Sequence, residues 1–476
     1  MINRKYRTFI SVMLIVMLTV LTCSCEAREQ NDVSKTKLKG LDEKIENKTE
    51  AYKTDIADSM SSLTSNDKIA RYLMNWAENK GIRVKEDDGI IIMNVDGSIE
   101  YKDAPQTVIV CPYDVTNFSN SVNPLIMTMY ALKNNEETGR LTALFVPEKG
   151  HDLSAYEKMK KKYFRKNENV ICLNGDIHAV VSERTGGASI YEFTKNLKTT
   201  SPKNLVAYKI RISGIASNQM DNKINMKINP IIEINNLLAN LKKSSVDYEI
   251  ASIAGGREDS LYPGTCTLKM TVDEDRQALF EKKLNSRIES FDKRKQSEDP
   301  NAVYEYEKID LPDKVISQAE SAKLVAFIYT LLEDEYYRDE ETDHLIAVCD
   351  TSYIRTKKGK VRIGSTAYSI DDNVLKEIDD ATDTLCGLSE FKYKKISSVP
   401  SWESETENSL SERIRKAYSK YTGKDLIIQP TVTAGSAGYV KKLNDKCNII
   451  SITVSESTMK DLTGTLMNYL IKLNEE

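Results

Sequence analysis

Four residues able to bind a metal ion stand close together in the sequence. Glu148, His151, Asp176 and His178 lie at or just beyond the ends of two apolar runs, "LTALFVP" and "NVICLNG". Imidazole and carboxylate groups are common zinc ligands, and a carboxylate can also act as a general base. These residues could therefore build a site for one metal ion with a bound water. The alternative is that both histidines are ordinary surface residues beside loops.

Histidine is scarce in this chain, which limits the kinds of metal site it can build. Among 476 residues there are three histidines, His151, His178 and His344. A histidine-rich metal centre is therefore excluded. No C-x-x-C pair indicates a zinc ribbon. Beyond residue 25 the cysteines are isolated, and we predict that most are buried as small hydrophobic side chains. They are Cys111, Cys172, Cys266, Cys349, Cys386 and Cys447.

Several other functional classes find no support in the sequence. There is no Gly-x-Ser-x-Gly motif and no cysteine with a convincing histidine partner, so a serine or cysteine hydrolase is not indicated. The stretch "RTGGAS" lacks the spacing and the lysine of a phosphate-binding loop, and it predicts a turn that leads into a strand. The formal net charge of -4 provides no overall basic field. We therefore expect no nucleic-acid partner.

The N-terminal 25 residues have the pattern of a bacterial lipoprotein signal. A basic stretch precedes an apolar run of 13 residues from Phe9 to Leu21, which is too short to span a bilayer comfortably. The stretch "LTCSC" follows at once. We predict Cys25 as the lipidated residue, with Cys23 as the second candidate and an uncleaved anchor as the alternative. Each predicts an extracytoplasmic protein anchored to the bacterial cell membrane.

The chain divides into segments that differ in their pattern of apolar and polar residues, and these segments contain the elements that would position the acidic residues. Residues 26–55 are polar and predict a tether. Apolar strands alternate with helices in residues 56–203, and the same alternation is found in residues 387–476. This pattern predicts an α/β domain with a mixed central sheet. Between residues 204 and 386 the strands alternate apolar and polar positions and the helices are amphipathic. This segment predicts an inserted α+β lid domain.

Five stretches, by their order and spacing, resemble one family of enzymes. They are "YLMNWAENKGIRVKEDDGIIIMN", "ICLNGDIHAVVSERTGGAS", "YKIRISGIASNQMD", "IASIAGGREDSLYPGTC" and "VPSWESETENSLSERIRKAYSKYTGKDLIIQPTVTAGSAG". Together they resemble the di-zinc metallopeptidases of the aminoacylase/carboxypeptidase type, and most closely the aminoacyl-histidine dipeptidases. The resemblance covers most of residues 60–474. It implies a phosphorylase/hydrolase-like zinc-peptidase domain with a mixed central sheet and an inserted lid, through which the family often dimerises.

The resemblance assigns roles to individual residues. The family's chemistry needs ligands for two zinc ions, a glutamate base and an aspartate that orients the first histidine. Asp114 falls on the orienting aspartate, Glu148 on the base and Asp176 on one ligand. The remaining ligand positions fall on Pro112, Asn120 (with Asn123 as the alternative), Lys149 and Thr433. A lysine is unfavourable there, because its ammonium group repels a nearby metal ion.

Positions of the lid also depart from the family pattern. The histidine that reaches a partner's active site falls on Ser217 or Asn218, and the asparagine that grips the substrate falls on Tyr353. The lid arginine falls near Ala367. We predict a homodimer through the lid from the resemblance alone.

Three functions stay open after this comparison. The first is an inactive relative without a cofactor, whose cleft binds a peptide or small molecule and in which Lys149 pairs with Asp114, Glu148 or Asp176. The second is an active metal-dependent dipeptidase or hydrolase with an altered, mononuclear zinc site. The third is a structural lipoprotein that contacts partners through charged helices such as "FEKKLNSRIESFDKRK". The replaced ligands favour a protein that is not an enzyme.

Overall fold

The computed structural model describes most of the chain beyond residue 39. The described residues are 40–59, 63–97, 106–135, 139–150, 152–217, 225, 227–258, 260, 262–404 and 408–472. The predicted signal peptide with Cys23 and Cys25 lies outside them, as do His151 and Asn218. Within these ranges no helix combines the length and the apolar character needed to cross a bilayer.

The helices of the described chain follow the predicted amphipathic segments closely. In chain order they are α1 (40–59), α2 (Asn66–Asn79), α3 (Phe118–Lys133), α4 (Pro230–Lys243), α5 (Gln277–Glu298), α6 (Gln318–Thr330), α7 (Asp372–Ser389), α8 (Ser409–Thr422), α9 (Ser436–Leu443) and α10 (Met459–Lys472). Ser65 caps α2, since its hydroxyl accepts from the Lys68 N–H. Gly423 ends α8 with a φ of 72°. Helix α6 ends at Thr330, and residues Asp334–Arg338, which follow it closely, form a strand.

The strands form two large sheets and one small one. In chain order they are β1 (Arg83–Asp87), β2 (Ile90–Val95), β3 (Thr107–Tyr113), β4 (Leu141–Pro147), β5 (Asn169–Gly175), β6 (Val180–Ser182), β7 (Arg184–Asn196), β8 (Thr199–Thr200), β9 (Val206–Ser213), β10 (Tyr248–Gly256), β11 (Cys266–Val272), β12 (Val303–Ile309), β13 (Val315–Ile316), β14 (Asp334–Arg338), β15 (Leu345–Lys357), β16 (Lys360–Ser369), β17 (Lys392–Val399), β18 (Trp402–Glu403), β19 (Thr431–Ala434) and β20 (Asn448–Val454). β8 pairs with β13.

The first large sheet is mixed, as predicted. Its order is β1-β2-β4-β3-β5-β20-β6. The four central strands run parallel, and antiparallel strands flank them on both sides. Successive side chains of β3 enter two different apolar cores, with Ile109 on the face covered by helices and Val110 on the opposite face. Burial on both faces explains why these strands are continuous apolar runs.

The second large sheet is predominantly antiparallel and crosses the predicted domain boundary. Its main order is β12-β9-β11-β10-β15-β16-β7-β17, and β14, β18 and β19 pair onto it. The prediction confined the inserted domain to residues 204–386. Strands β7 and β17 lie outside that segment but pair along the same sheet. β15 and β16 form a hairpin whose turn contains Gly359, which has a φ of 71°.

The first helix differs from the predicted tether. The sequence predicts a polar tether over residues 26–55, yet α1 is helical from residue 40 and packs on the first sheet's helical layer. Ile45 and Ile56 are buried in that core. An ion pair of 3.0 Å between Lys460 and Glu46 joins α1 to α10. The apolar residues of α1 are few, and the helix contacts both α2 and α10, through the Tyr52–Trp76 ring contact and the Lys460–Glu46 hydrogen bond. The polar composition of the segment did not predict this docking.

Candidate functional site

The predicted acidic residues gather at the carboxyl edge of the first sheet. Asp114 follows β3, Glu148 follows β4 and Asp176 follows β5. Because β3 pairs in parallel with both β4 and β5, these three strands end at the same edge. In open α/β sheets this edge is where ligands bind. We take it as the candidate site and call it the carboxyl edge.

Asp114 is buried and holds two loops together. Its Oδ1 atom accepts from both the backbone N–H and the hydroxyl of Thr116, each at 2.8 Å. Its Oδ2 atom accepts from the Gly150 N–H at 2.7 Å. Only 3% of the residue is exposed. The resemblance gives Asp114 the role of orienting a metal ligand. In this structure its carboxylate is bonded to the backbone of its own loop and of the loop after β4.

Glu148 has a strongly perturbed carboxyl group at this edge. Burial raises its pKa to about 7, the hydroxyl of Tyr156 opposes this by donating a hydrogen bond to Oε1, and the nearby charge of Asp114 adds to the rise. Tyr156 is itself fully buried and stacks on Tyr439 at 5.7 Å. The Glu148 carboxyl therefore changes charge near neutral pH, with the Tyr156 hydroxyl as its hydrogen-bond partner.

Lys149 does not take the predicted place of a metal ion. Its side chain is exposed, and its backbone pairs with Asp152 in an isolated bridge. Among the described residues no carboxylate comes within 4.0 Å of its ammonium group. The predicted pairing with Asp114, Glu148 or Asp176 is therefore wrong. An exposed ammonium group keeps its hydration, which burial next to the carboxyl edge would remove.

Asp176 and His178 sit on the loop that follows β5. Asp176 is partly exposed, and its Oδ1 atom accepts from the Ile177 N–H at 2.6 Å. His178 is exposed, as the surface alternative predicts. Asp176 thus reaches the carboxyl edge, whereas His151, the remaining member of the predicted mononuclear set, lies outside the described residues.

Pro112 lies within β3, close to the carboxyl edge. The β3–β5 pairing ends at Val110 and Cys172, two residues before Pro112, while the β3–β4 pairing continues to Tyr113. A proline lacks the N–H that a central strand needs on both sides. It is tolerated here because β5 has already diverged. Its ring offers no donor atom to a metal.

Asn120 lies in the first turn of α3, against the end of β5. It is 8% exposed, and Asn123 is 4% exposed. A Cβ atom added at Gly175 would stand 2.1 Å from the Asn120 carbonyl oxygen, so the two backbones touch. The structure therefore brings the predicted bridging position next to Asp176, with an amide where the family has a carboxylate.

Thr433 reaches the same region from the second sheet. It lies in β19, and its hydroxyl accepts from the Thr431 hydroxyl at 3.0 Å. β19 leads into Gly435, where an added Cβ atom would stand 2.9 Å from the Asn174 side chain at the end of β5. The predicted last ligand position is therefore adjacent to the carboxyl edge, and it carries a hydroxyl.

The lid positions are occupied by residues with other contacts. The Tyr353 hydroxyl donates to Glu192 at 2.7 Å, and Arg362 binds the same carboxylate. Ala367 is buried in the second sheet, and the Ser217 carbonyl accepts from the Tyr262 N–H at 2.9 Å. Tyr353 is thus fixed by a network within the sheet.

Two residues of the carboxyl edge escaped sequence analysis. Asn66, the first residue of α2, donates to the Glu148 carbonyl at 2.7 Å and accepts from the Val115 N–H at 2.9 Å. Asn66 thereby links the loops after β3 and β4 to helix α2. Tyr156, described above, is the second. Neither stands in a recognisable motif, and both act on partners that only the fold brings near.

At the ligand positions that the resemblance gives, the described residues of this edge offer few atoms able to bind zinc. Among the described residues no group of three histidine, cysteine, aspartate or glutamate side chains is placed to hold a metal ion. Pro112 offers no donor, the Lys149 side chain points into solvent, and Asn120 and Thr433 are weak neutral donors.

Comparison with known proteins identifies the fold. No protein-family model and no curated protein sequence matches the chain. The crystal structure of aminoacylhistidine dipeptidase from Vibrio alginolyticus superimposes with a TM-score of 0.61 at 12% identity, over 85% of this chain and 92% of that one. The protein has a dipeptidase fold. The resemblance to the metallopeptidases of this type is thereby confirmed at the level of fold.

Two further dipeptidase structures also match. They are the dipeptidase Dug1p of Saccharomyces cerevisiae, at 12% identity, and human carnosine dipeptidase 1, at 8% identity. Each has a TM-score of 0.49 and covers 92% of this chain and 99% of its own. The assignment of the dipeptidase fold rests on the Vibrio enzyme. At these identities the match concerns architecture and leaves the chemistry to the residues at the carboxyl edge.

The cavities of this dipeptidase fold and its cysteines complete the description. Cavities of 690, 290, 380 and 100 Å³ occur in the described chain, and none of these four is lined by Asp114, Glu148 or Asp176.

The described cysteines are buried as predicted, except for Cys447, which is partly exposed. Burial raises the pKa of the Cys447 thiol to about 12, so it is a poor nucleophile at neutral pH.

Proposed function

We propose that this protein is a lipid-anchored, extracytoplasmic member of the dipeptidase fold that does not hydrolyse peptides. In this proposal its cleft at the carboxyl edge binds a peptide or small molecule without a metal cofactor. The observation that carries the proposal is the bonding of Asp114. Its carboxylate accepts three hydrogen bonds from its own loop and from Gly150. It acts as a structural link between loops.

The state of the neighbouring side chains supports the same function. A base that activates a metal-bound water is most effective beside a cation, which would keep the carboxyl ionised. The ligand position that the resemblance gives next to Glu148 carries Lys149, whose exposed side chain supplies no carboxylate to hold such a cation. Within the protein itself, burial and the charge of Asp114 raise the pKa of Glu148 to about 7. The replaced ligand position is what supports a function without hydrolysis.

A hydrolysis assay tests the absence of activity. Mature protein lacking residues 1–25 would be incubated with Xaa-His dipeptides, carnosine and tripeptides in the presence of zinc, manganese or cobalt. We expect no turnover above the rate of buffer with the same metal. Turnover that is abolished by a chelator and by Glu148→Gln would refute the proposal and establish an active metal-dependent hydrolase.

One observation favours that alternative function. A carboxyl group with a pKa of about 7 is well suited to general base catalysis at neutral pH. Asp176 and His178 stand on one loop close by in the chain. In the alternative, these groups and one metal ion would form an altered, mononuclear hydrolase site. Loss of turnover in Asp176→Asn, together with loss of bound metal, would distinguish it from contamination by another peptidase.

The lipid anchor is a separate part of the proposal. It rests on the basic and apolar pattern before "LTCSC" in the sequence. Labelling of cells with an alkyne fatty acid should modify the wild-type chain and Cys23→Ser but not Cys25→Ser. Cys25→Ser should also leave the membrane fraction. Equal labelling of both variants would contradict the assignment of Cys25.

A homodimer through the second sheet remains a proposal as well. β12 is an edge strand, because among the described strands it pairs only with β9. Open edge strands are sites at which a second chain can add to a sheet. Sedimentation velocity over a range of concentrations would test this, and a single monomeric species at all concentrations would contradict it.

A further inference from the structure

A cavity of 690 Å³ opens between α4 and α6, on the helical layer of the second sheet. We call it the α4–α6 groove, and it is lined by residues that include Ala239, Lys243, Tyr248, Arg287, Val325 and Tyr329. Its volume lies within the range typical of ligand sites. The groove belongs to other elements than the carboxyl edge, so its use does not depend on the function proposed above.

A second cavity extends the groove across α4. This cavity has a volume of 290 Å³ and lies between α4 and α5. Asn240 and Arg287 line both cavities. The two spaces are thus neighbours around the Arg287 side chain, and together they form an elongated depression suited to an elongated ligand.

The lining of the depression is basic. Five basic and two acidic side chains line the two cavities: Lys242, Lys243, Lys283, Arg287, Arg294, Glu233 and Asp247. The acidic ones are already engaged, since Asp247 lies 3.8 Å from Lys242 and Glu233 binds both arginines. Within the described chain no carboxylate pairs with Lys243 or Lys283. A positive depression on a chain of net charge -4 indicates an anionic ligand.

Polar and apolar side chains of the groove indicate what kind of anion fits. Asn236, Asn240 and Gln318 offer amide groups that both donate and accept hydrogen bonds, as a peptide backbone requires. Between them lie small apolar positions such as Ala326, beside Tyr329, which is 68% exposed. An aromatic ring left so exposed at the rim of a groove is a typical contact for a bound chain.

We propose that the α4–α6 groove binds a short acidic peptide. The carboxylates of the peptide lie against Lys243, Lys283 and Arg287, its backbone bonds the amide side chains, and its apolar side chains pack between α4 and α6. An acidic peptide can bind the basic side chains, the amide side chains and the apolar surface at the same time. A simple anion would bind only the basic side chains.

The direct test is binding of a defined probe to the mature protein. The probe is rhodamine-labelled Leu-Glu-Ala-Glu-Leu-Glu, measured by fluorescence anisotropy at low and high salt. The control is the same peptide with lysine in place of each glutamate. We expect saturable binding of the acidic peptide that weakens with salt, and binding of the basic peptide at least about tenfold weaker. Equal binding of both peptides, or no saturable binding, would overturn the proposal.

Two variants locate the binding in the groove. Lys243→Glu should weaken binding of the acidic peptide about fivefold or more, because it reverses an exposed, unpaired charge. Ala326→Trp should abolish binding by filling the groove without a change of charge. Lys392→Glu, on the exposed edge strand β17, is the matched control and should bind as wild type.

Folding and self-association are controlled in the same experiment. Lys243, Ala326 and Lys392 are all exposed, so thermal melts of the variants should coincide with wild type. Wild-type affinity in both groove variants would overturn the proposal. A second result would also overturn it. If the protein binds no peptide but forms a dimer, and Ala326→Trp dissociates that dimer, then the groove is a contact between copies of the chain.

Discussion

The Asp114 carboxylate accepts a hydrogen bond from the backbone N–H of Gly150, with 2.7 Å between Oδ2 and the nitrogen. This bond joins the loop after β3 to the loop after β4, and Asn66 of α2 reinforces the same junction. The carboxyl edge is therefore held by backbone hydrogen bonds to an acidic side chain. In a dipeptidase fold the same side chain would be expected to serve a metal site.

Replacement of Asp114 by asparagine should destabilise the protein. The side chain keeps its size but presents an amide N–H₂ to backbone N–H donors, which leaves buried groups unpaired. We expect a loss of about 1–3 kcal/mol in the free energy of unfolding, measured by urea denaturation. Asp58→Asn, at an exposed position of α1, is the control and should change little. A neutral Asp114→Asn would show that the loop bonds contribute no net stability.

Replacement of Glu148 by glutamine should stabilise the protein at high pH. The folded-state pKa of about 7 exceeds the ordinary 4.5, so the folded chain holds a proton that the unfolded chain releases. The stabilising effect of that proton is complete below pH 4.5 and is lost as the pH rises to about 7. Glutamine stays neutral throughout, and its side-chain oxygen can still accept from Tyr156.

The comparison is made by urea unfolding at several pH values. Glu148→Gln should equal wild type near pH 4 and exceed it at pH 8 by up to about 3 kcal/mol, the equivalent of the pKa rise. Glu157→Gln, an exposed neighbour, should show no such gain. A stability difference that does not depend on pH would mean that the Glu148 carboxyl titrates normally.

Replacement of Lys149 by alanine should leave stability nearly unchanged. The exposed side chain forms no ion pair with a described carboxylate, and such surface substitutions usually fall within about 0.5 kcal/mol of wild type. Differential scanning calorimetry would measure the melting temperature. A marked fall would restore the sequence-based hypothesis that this ammonium neutralises the carboxyl edge.

Replacement of Gly175 by alanine should be strongly destabilising. The added Cβ atom would stand 2.1 Å from the Asn120 carbonyl oxygen, and neither backbone can move without separating β5 from α3. We expect a loss of about 3 kcal/mol or misfolding, at the upper end of overpacking effects. Gly387→Ala on α7, where nothing lies within 4 Å, is the matched control and should be neutral or slightly stabilising.

The architecture could be predicted from the sequence wherever the spacing of apolar residues distinguishes strands from helices. The apolar runs "LTALFVP" and "NVICLNG" are buried strands that run parallel to β3. The predictions failed where long-range packing decides the structure. A stretch of polar composition docks as α1, and β7 and β17 join the sheet assigned to the insertion.

The resemblance gave roles to Asp114, Glu148 and Asp176, and the fold brings these three residues to the ends of neighbouring strands. Their roles stay a prediction, and their hydrogen bonds could not be predicted from the sequence. Residue type cannot indicate which hydrogen bonds a carboxylate will accept, so the links to Gly150 and Tyr156 became visible only in the fold. The exposure of the Lys149 side chain and the backbone bridge of Lys149 with Asp152 likewise have no sequence signature.

The central claim is that the carboxyl edge of this dipeptidase fold does not hold a catalytic metal. The most direct measurement is the metal content of mature protein lacking residues 1–25, determined by elemental analysis after dialysis against zinc, manganese and cobalt and then against metal-free buffer. The proposed function predicts far less than one metal ion per chain. Metal near one or two ions per chain that is lost in Asp176→Asn would contradict it, and the alternative of an active hydrolase would replace it.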